Sequence, residues 1–239
     1  HLSGQSCNMA VIHRLCNDYG VKIIEDASHA IGGSYLGEPI GNCKYSDITV
    51  FSFHPVKIIT TAEGGAALTN DGELAKKISC YRSHGITRDP KMMTEPSHGA
   101  WYYQQIALGY NYRMTDLQAS LGVTQMSRLD EFVSQRHLIA QRYNLLLKNH
   151  PVKIPYQLEN PYSGLHLYII RLRLDRISLG HKEVFDKLRA NGIGVNLHYI
   201  PVHMQPFYKS MGFKVGDFPE SEKYYSEAIA YQCIQIYLK

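Results

Sequence analysis

Three short apolar runs near the start of the chain constrain its fold most: VKIIEDAS (21–28), DITVFSF (47–53) and GGAALTN (64–70). Apolar runs this short, bounded by polar and turn residues, read as buried strands rather than helices. Upstream, Ile12, Leu15, Cys16 and Tyr19 recur at helical spacing, and Gly20 stands where a left-handed turn ends a helix. A helix followed by strands with short connections predicts an α/β sheet that carries functional groups at strand ends. Glu25 and Asp26 close the first strand, and Lys57 follows the second within SFHPVK, where Pro55 stops the ladder and turns the chain.

The rest of the chain divides in two. Residues 71–83 read as a charged helix, followed by a long irregular stretch from His84 to about Asn111 that carries Pro90 and Pro96. Thr115-x-x-Gln118 is a capping box that opens a long helical region. Its apolar positions Leu117, Leu121, Leu129, Phe132, Ile139, Tyr143 and Leu146 predict one buried face through about residue 149. Pro151 and Pro155 mark a boundary. Beyond it, HLYIIRLRL (166–174) reads as a strand with Tyr168, Ile170, Leu172 and Leu174 on one face, followed by a helix (181–191) closed by Gly192 and a strand in GVNLHY. Residues 1–150 are therefore expected to form a large α/β unit with a long connecting helix, and 151–239 a smaller α+β domain.

Composition excludes several classes. The formal charge of +4 comes from scattered basic residues, which argues against nucleic acid as a partner. No apolar run reaches the roughly 18 residues that cross a bilayer, so a soluble protein without a membrane partner is expected. Cys7, Cys16, Cys43, Cys80 and Cys233 are odd in number and never spaced as CxxC, which suits free thiols in a reducing cytoplasm. His198 and His203 have no third ligand in the pattern, so no metal is expected. No G-x-G-x-x-G follows any strand, which argues against a dinucleotide-dependent oxidoreductase. The chain opens HLSGQSCN without an initiator Met, as expected of a piece of something longer.

The chemistry starts with Asp26 and Lys57. A carboxylate at the end of a buried strand is costly unless it meets a cation, and the two strand ends aim an acid and an amine at one crevice. Taken alone, the two residues fit an ordinary ion pair at a sheet edge as well as a binding site.

The surrounding phrases add to this. EDASHAIGG, FSFHPVK, AEGGAALTND, YRSHG and GYNYRMTDLQASLG occur in this order. Together they resemble the DegT/DnrJ/EryC1/StrS family of sugar aminotransferases, over nearly the whole chain to about residue 228. The resemblance implies the pyridoxal-phosphate-dependent transferase fold of the aspartate aminotransferase type. The chain would hold part of the large-domain sheet and the small C-terminal domain. FHPVK followed by ITTAEGG, and RSHGITRDP with WYYQQIALGYNYRMTD, resemble the branch that makes amino sugars for pseudaminic acid.

The resemblance also implies roles. Lys57 matches the lysine that carries pyridoxal 5'-phosphate and moves the proton, and its amine must be neutral to attack. Asp26 matches the carboxylate that keeps the pyridine nitrogen protonated. His29 matches the residue against the cofactor ring, with a core histidine as the alternative. Ser52 matches a donor to the phosphate, or is a strand hydroxyl satisfied by its ladder. Asn111 matches a residue that reaches the neighbouring subunit's phosphate in a homodimer, or is a turn asparagine. Asn196, His198 and Tyr199 match the nucleotide-sugar pocket, though a half-exposed strand has the same pattern. Gly64 and Gly65 are expected to let the backbone pass close beneath the cofactor linkage. Trp101, Tyr102 and Tyr103 fit a substrate-facing loop or plain packing.

The implied reaction moves an amino group from L-glutamate to the 4-keto carbon of a UDP-linked 4-keto-6-deoxy sugar. Lysine rather than histidine at position 57 sets the chain apart from the dehydratases of this fold. An inactive fragment, or a non-catalytic binding module derived from the same fold, is the alternative. It draws on two departures: nothing here replaces the family's N-terminal part, and SEAIAYQCIQIYLK (226–239) differs from the family's Leu-Pro-containing finish.

Overall fold

The computed structural model describes residues 1–232. Helix α1 (Met9–Asp18) ends at Gly20, whose φ of +64° is the left-handed turn the sequence predicts. Its buried face is Met9, Ile12 and Cys16, whereas Leu15 and Tyr19 are exposed. The helical period is as expected, but the buried stripe lies on the side that meets Ile23 and Tyr35.

Strand β1 (Ile24–Asp26) is followed by the hairpin of β2 (Ser34–Tyr35) and β3 (Glu38–Pro39), then by β4 (Ile48–Ser52) and β5 (Gly65–Leu68). β1 runs parallel to β4 and β5 antiparallel to it, in the order β1-β4-β5. The α/β sheet expected from the three apolar runs is thus present. β1 is less buried than expected, because it lies at the sheet edge among the described residues and Ile24 is exposed. Ala27, Ala30, Ile31, Phe51, Ile58, Ile59 and Val133 form the core beneath this sheet.

Helix α2 (Gly72–Arg82) is capped by Asp71, whose carboxylate accepts from the backbone N–H groups of Glu73 and Leu74. The following irregular stretch is pinned by a short pair, β6 (Ile86–Thr87) and β7 (Gln104–Gln105). The capping box at Thr115 and Gln118 opens α3 (Asp116–Met126), and the chain breaks at Ser127–Arg128 before α4 (Leu129–Leu147). The single buried face expected across this region holds only in part. Leu117, Leu121 and Leu146 are exposed, and the fully buried positions are Val133, Arg136 and Ala140 on α4. The break re-aims the stripe, so α3 packs little of it.

The second sheet has the order β11-β12-β10-β8, from β8 (Val152–Lys153), β10 (Leu167–Leu172), β11 (Val195–Asn196) and β12 (Ala228–Gln232). β9 (Pro161–Tyr162) instead pairs with β2, which ties residues 161–162 to the first part of the chain. Tyr168, Ile170 and Leu172 share a core with Val195, Ile229 and α5 (His181–Ala190), whose C-terminal turn is closed by Gly192 at φ +77°. Leu174 falls past the strand, in a 3-10 turn, and is partly exposed. Leu167 and Ile169 are buried on the other face, so β10 is covered on both sides. Short helices α6 (Pro206–Ser210) and α7 (Pro219–Glu227) lead into β12. Ala228–Gln232, in the stretch that departs from the family's finish, thus form an inner strand; Cys233 and the rest of that stretch lie outside the described residues.

Helix α4 joins the two cores. Its first turns pack Leu129, Phe132 and Val133 on the β1-β4-β5 side, and its later turns pack Ile139, Ala140, Tyr143 and Leu147 on the β10 side. Because one helix packs into both cores, it fixes how the second sheet meets the first. Among the described residues, no helix is long and apolar enough to cross a membrane.

Candidate active site

The parallel strands β1 and β4 end on the same edge, with Asp26 registered opposite Val50. Crevices outside the carboxyl ends of parallel strands are where α/β sheets place ligands. Asp26 closes β1, and its Oδ1 accepts from the Ser28 backbone N–H at 3.0 Å. After β4 the chain turns through Pro55, and the Lys57 N–H donates to the His54 carbonyl at 2.9 Å. Buried Ile58 and Ile59 clamp this turn into the core, which leaves Lys57 half-buried at the crevice.

A cleft of ≈ 430 Å³ results, lined by His1, Leu2, Asp26, Ser28, His29, Lys57 and Tyr199. Hydrogen bonding from the Ser28 side chain holds the Asp26 carboxyl below its usual value, against the opposing effect of burial; its backbone bond to Ser28 and the charges of His29 and Lys57 lower it further. Burial lowers the Lys57 ammonium, partly offset by the charge of Asp26. The amine is thus more readily neutral than a surface lysine, and the carboxyl stays anionic.

His29 sits beside them, 8% exposed. Its Nδ1 accepts from the Ser3 backbone N–H at 3.3 Å, and its Nε2 lies 3.3 Å from the Tyr199 hydroxyl. Burial, then the charges of Lys57 and His198, push His29 down to about 4 against the pull of Asp26. His198 is lowered in the same way, by burial and by Lys57.

The structure therefore gathers Asp26, His29, Lys57 and Tyr199 around one cleft, with His198 close enough to feel Lys57. Ser52 ends β4 half-buried, its Oγ accepting a long 3.5 Å contact from the His54 N–H, and it is not among the cleft's lining residues. Asn111 is exposed and bridges Ser83 through its backbone. Its neighbours Tyr110 and Tyr112 line a separate groove of ≈ 700 Å³. Asn196 is exposed on β11, where its Oδ1 accepts from the Leu197 N–H at 2.8 Å. Trp101 is exposed, Tyr102 packs at a tilt against His98, and the Arg88 guanidinium lies 5.9 Å over the Tyr103 ring.

The two glycines after the lysine loop are explained differently from the sequence expectation. A Cβ at Gly64 would run into the Thr61 hydroxyl, and one at Gly65 would stand 2.8 Å from the Phe51 carbonyl. Both also line the larger groove, not the cleft, so the close approach is to the protein's own strand and loop.

Two contributors went unread in the sequence. Ser28 stands two residues after Asp26, a spacing typical of an Asx turn, so it carries a local signal. His166, 4% exposed at the foot of β10, packs on His29 with ring centroids 4.5 Å apart. Only tertiary packing reveals it.

Comparison with known proteins places this geometry. The profile of the DegT/DnrJ/EryC1/StrS aminotransferase family matches residues 1–235. A UDP-4-amino-4,6-dideoxy-N-acetyl-beta-L-altrosamine transaminase of Campylobacter jejuni is 36% identical over 233 residues, which are 97% of this chain and 58% of that protein. Among solved structures, Helicobacter pylori PseC, an aminotransferase involved in the biosynthesis of pseudoaminic acid, aligns with a TM-score of 0.85 at 28% identity. That alignment covers 96% of this chain and 58% of PseC. The PLP-form of the Streptococcus pneumoniae putative sugar aminotransferase Spr1654 aligns with a TM-score of 0.84 at 27% identity, over 98% of this chain and 62% of that one. The chain thus spans somewhat less than two thirds of the length of these relatives.

Proposed function

The chain belongs to the DegT/DnrJ/EryC1/StrS aminotransferase family and has its pyridoxal-phosphate-dependent transferase fold, and from that premise we propose that it is the lysine-bearing part of an aminotransferase. The amino group moves from L-glutamate to the 4-keto carbon of a UDP-linked 4-keto-6-deoxy sugar. One observation carries the reading. Lys57 and Asp26 face one cleft, and the Lys57 amine makes no ion pair or hydrogen bond among the described residues.

The residues fit the family's cofactor, pyridoxal 5'-phosphate. A cleft of ≈ 430 Å³ falls within the roughly 300–1,000 Å³ of small-molecule sites. An uncommitted, half-buried amine suits a carbonyl, and an anionic carboxyl suits a ring N–H. When bound, the cofactor supplies an electron sink for the carbon that gains or loses a proton. The chain's own residues do the rest. Asp26 holds the ring N–H, and Lys57 carries a proton to and from one face, acting as both acid and base. His29, neutral, offers its Nε2–H to the ring side of the cleft, with the Tyr199 hydroxyl beside it.

The finer assignments belong to the same proposal. Ser52 donates to the phosphate, and Asn111 reaches the cofactor phosphate of a neighbouring subunit, so a homodimer completes each site. Asn196, His198 and Tyr199 line the nucleotide-sugar side, which the position of Tyr199 in the cleft supports. We assign residues 1–150 to the cofactor-binding domain with its connecting helix, residues 151–239 to a smaller domain, and the whole protein to the cytoplasm.

The test is the first half of the reaction. The chain is incubated with pyridoxal phosphate and L-glutamate, and 2-oxoglutarate is measured, with Lys57→Ala in parallel. Stoichiometric 2-oxoglutarate that vanishes in the variant supports the transferase reading. Cofactor capture without 2-oxoglutarate leaves the non-catalytic module as the better description.

A further inference from the structure

Beneath the cleft lies a buried histidine that the proposed reaction does not use. His166 begins the run into β10, and the residues around it are fixed from three sides. The Arg136 guanidinium of α4 donates from Nη1 to the carbonyls of Leu165 and His166, each at 3.2 Å. The Gly164 N–H donates to the Gly4 carbonyl at 3.0 Å. The His166 ring packs on His29, centroids 4.5 Å apart at 49°, while its own Nδ1 is buried with no hydrogen-bond partner among the described residues. Native proteins seldom leave a buried polar atom unpaired, so this one calls for a reason.

The geometry of His29 shows what the ring does there. Because the Ser3 N–H donates into Nδ1, the proton of a neutral His29 resides on Nε2, which points to Tyr199 and the cleft. A charged His29 would place a second N–H on Nδ1, against the Ser3 donor. The groups that face His29 are Asp26, Lys57, His166, His198 and Tyr199. Asp26 alone among them favours the cation, and water at the open flank of the ring would assist it. His166 occupies that flank.

We propose that His166 is a positioning residue, which keeps His29 neutral, in the Nε2–H tautomer that the Ser3 N–H selects, by covering its ring with a second, uncharged imidazole. His166 suits the task because it resists protonation itself. Burial, then the charges of His29, Lys57, Arg136 and His198, push it down to about 2. The chain of support runs from Arg136 on α4, through the backbone at 165–166 and the His166 ring, to His29. The connecting helix thereby reaches the cleft. The functional meaning of this positioning rests on the reading that the Lys57 cleft holds the cofactor.

The experiment follows the imidazole resonances of the isotopically labelled full chain over pH, with the His29 signal assigned by its loss in His29→Asn. In the parent chain His29 stays in the Nε2–H form down to about pH 4. In His166→Ala, water reaches the exposed ring, and the His29 pKa rises by about one unit or more toward its ordinary value. His166→Phe keeps an uncharged ring in place and leaves the His29 titration nearly as it was. Should His166→Ala fail to fold, His166→Gln carries the same expected rise. An unchanged His29 titration and tautomer in the Ala or Gln variant overturns the proposal, as does an equal rise in His166→Phe. Trapping pyridoxal phosphate on the parent chain separates the two claims. Absence of label on Lys57 together with the shifted His29 removes the cofactor reading and leaves the coupling of the two histidines standing. Label on Lys57 with an unmoved His29 removes the positioning role alone.

Discussion

Asp26 and Lys57 face one cleft from the ends of neighbouring parallel strands, and each stabilises the charged form of the other: Lys57 lowers the Asp26 carboxyl, and Asp26 raises the Lys57 ammonium against the effect of burial. The pair is uneven. The Ser28 side chain contributes most to holding Asp26 anionic, whereas Asp26 is the charge that raises the Lys57 ammonium against burial.

The first prediction comes from that imbalance. Asp26→Asn removes the one charge that holds the ammonium form, so the Lys57 pKa falls further and its neutral amine is available at lower pH. The pH dependence of Lys57 acylation in the cofactor-free chain, followed by peptide mass, is displaced to lower pH in the variant. An equal or upward displacement would mean that the two groups do not meet.

The Ile59 side chain, 2% exposed, holds the turn that carries Lys57. Ile59→Ala is expected to cost roughly 2–5 kcal/mol in denaturant unfolding, the range for truncating a buried isoleucine. Ile59→Val is expected to cost roughly 0.5–1.5 kcal/mol and leave Lys57 reactivity intact. A loss at the surface-substitution level in the alanine variant would show that the turn is anchored elsewhere.

The capping box at the start of α3 is solvent-exposed and local, so its contribution separates cleanly from the core. Thr115→Ala removes the acceptor for the Gln118 N–H and is expected to cost about 1 kcal/mol. Chemical denaturation at neutral pH measures it.

A pH effect follows from His1, whose Nε2 lies 2.7 Å from Glu25. Against the cost of burial, the Cys7 and Glu25 side chains raise the His1 imidazole from 6.5 to about 9. A raised folded-state pKa gives stability that is fully present below 6.5 and lost as pH climbs through about 9. The midpoint of thermal unfolding should therefore fall across that window, and the fall should shrink in Glu25→Gln. A flat profile in the parent chain would rule the pair out as a source of stability.

What could be read in advance follows the range of the interactions involved. The strands at 24–26, 48–52 and 65–68, the cap at Thr115 and the left-handed turns at Gly20 and Gly192 each depend on a few adjacent residues, so their patterns predict them. Asp26 and Lys57 were legible because a parallel pair brings their strand ends to one edge. The side of α1 that is buried, the exposure of Leu117 and Leu121, and the insertion of β12 between β10 and β11 all depend on partners distant in sequence. His166 belongs with these. At the start of a strand it reads as one more strand residue, and its place under His29 exists only once α4 and β10 have packed.

The most direct measurement for the Lys57 cleft is adduct mapping. The purified chain is mixed with pyridoxal phosphate, reduced with borohydride and digested, and the pyridoxyl group is located by peptide mass. A single adduct on Lys57, absent from Lys57→Ala, is the predicted result. Label spread over surface lysines, or found on none, would contradict the assignment of this cleft as the cofactor site.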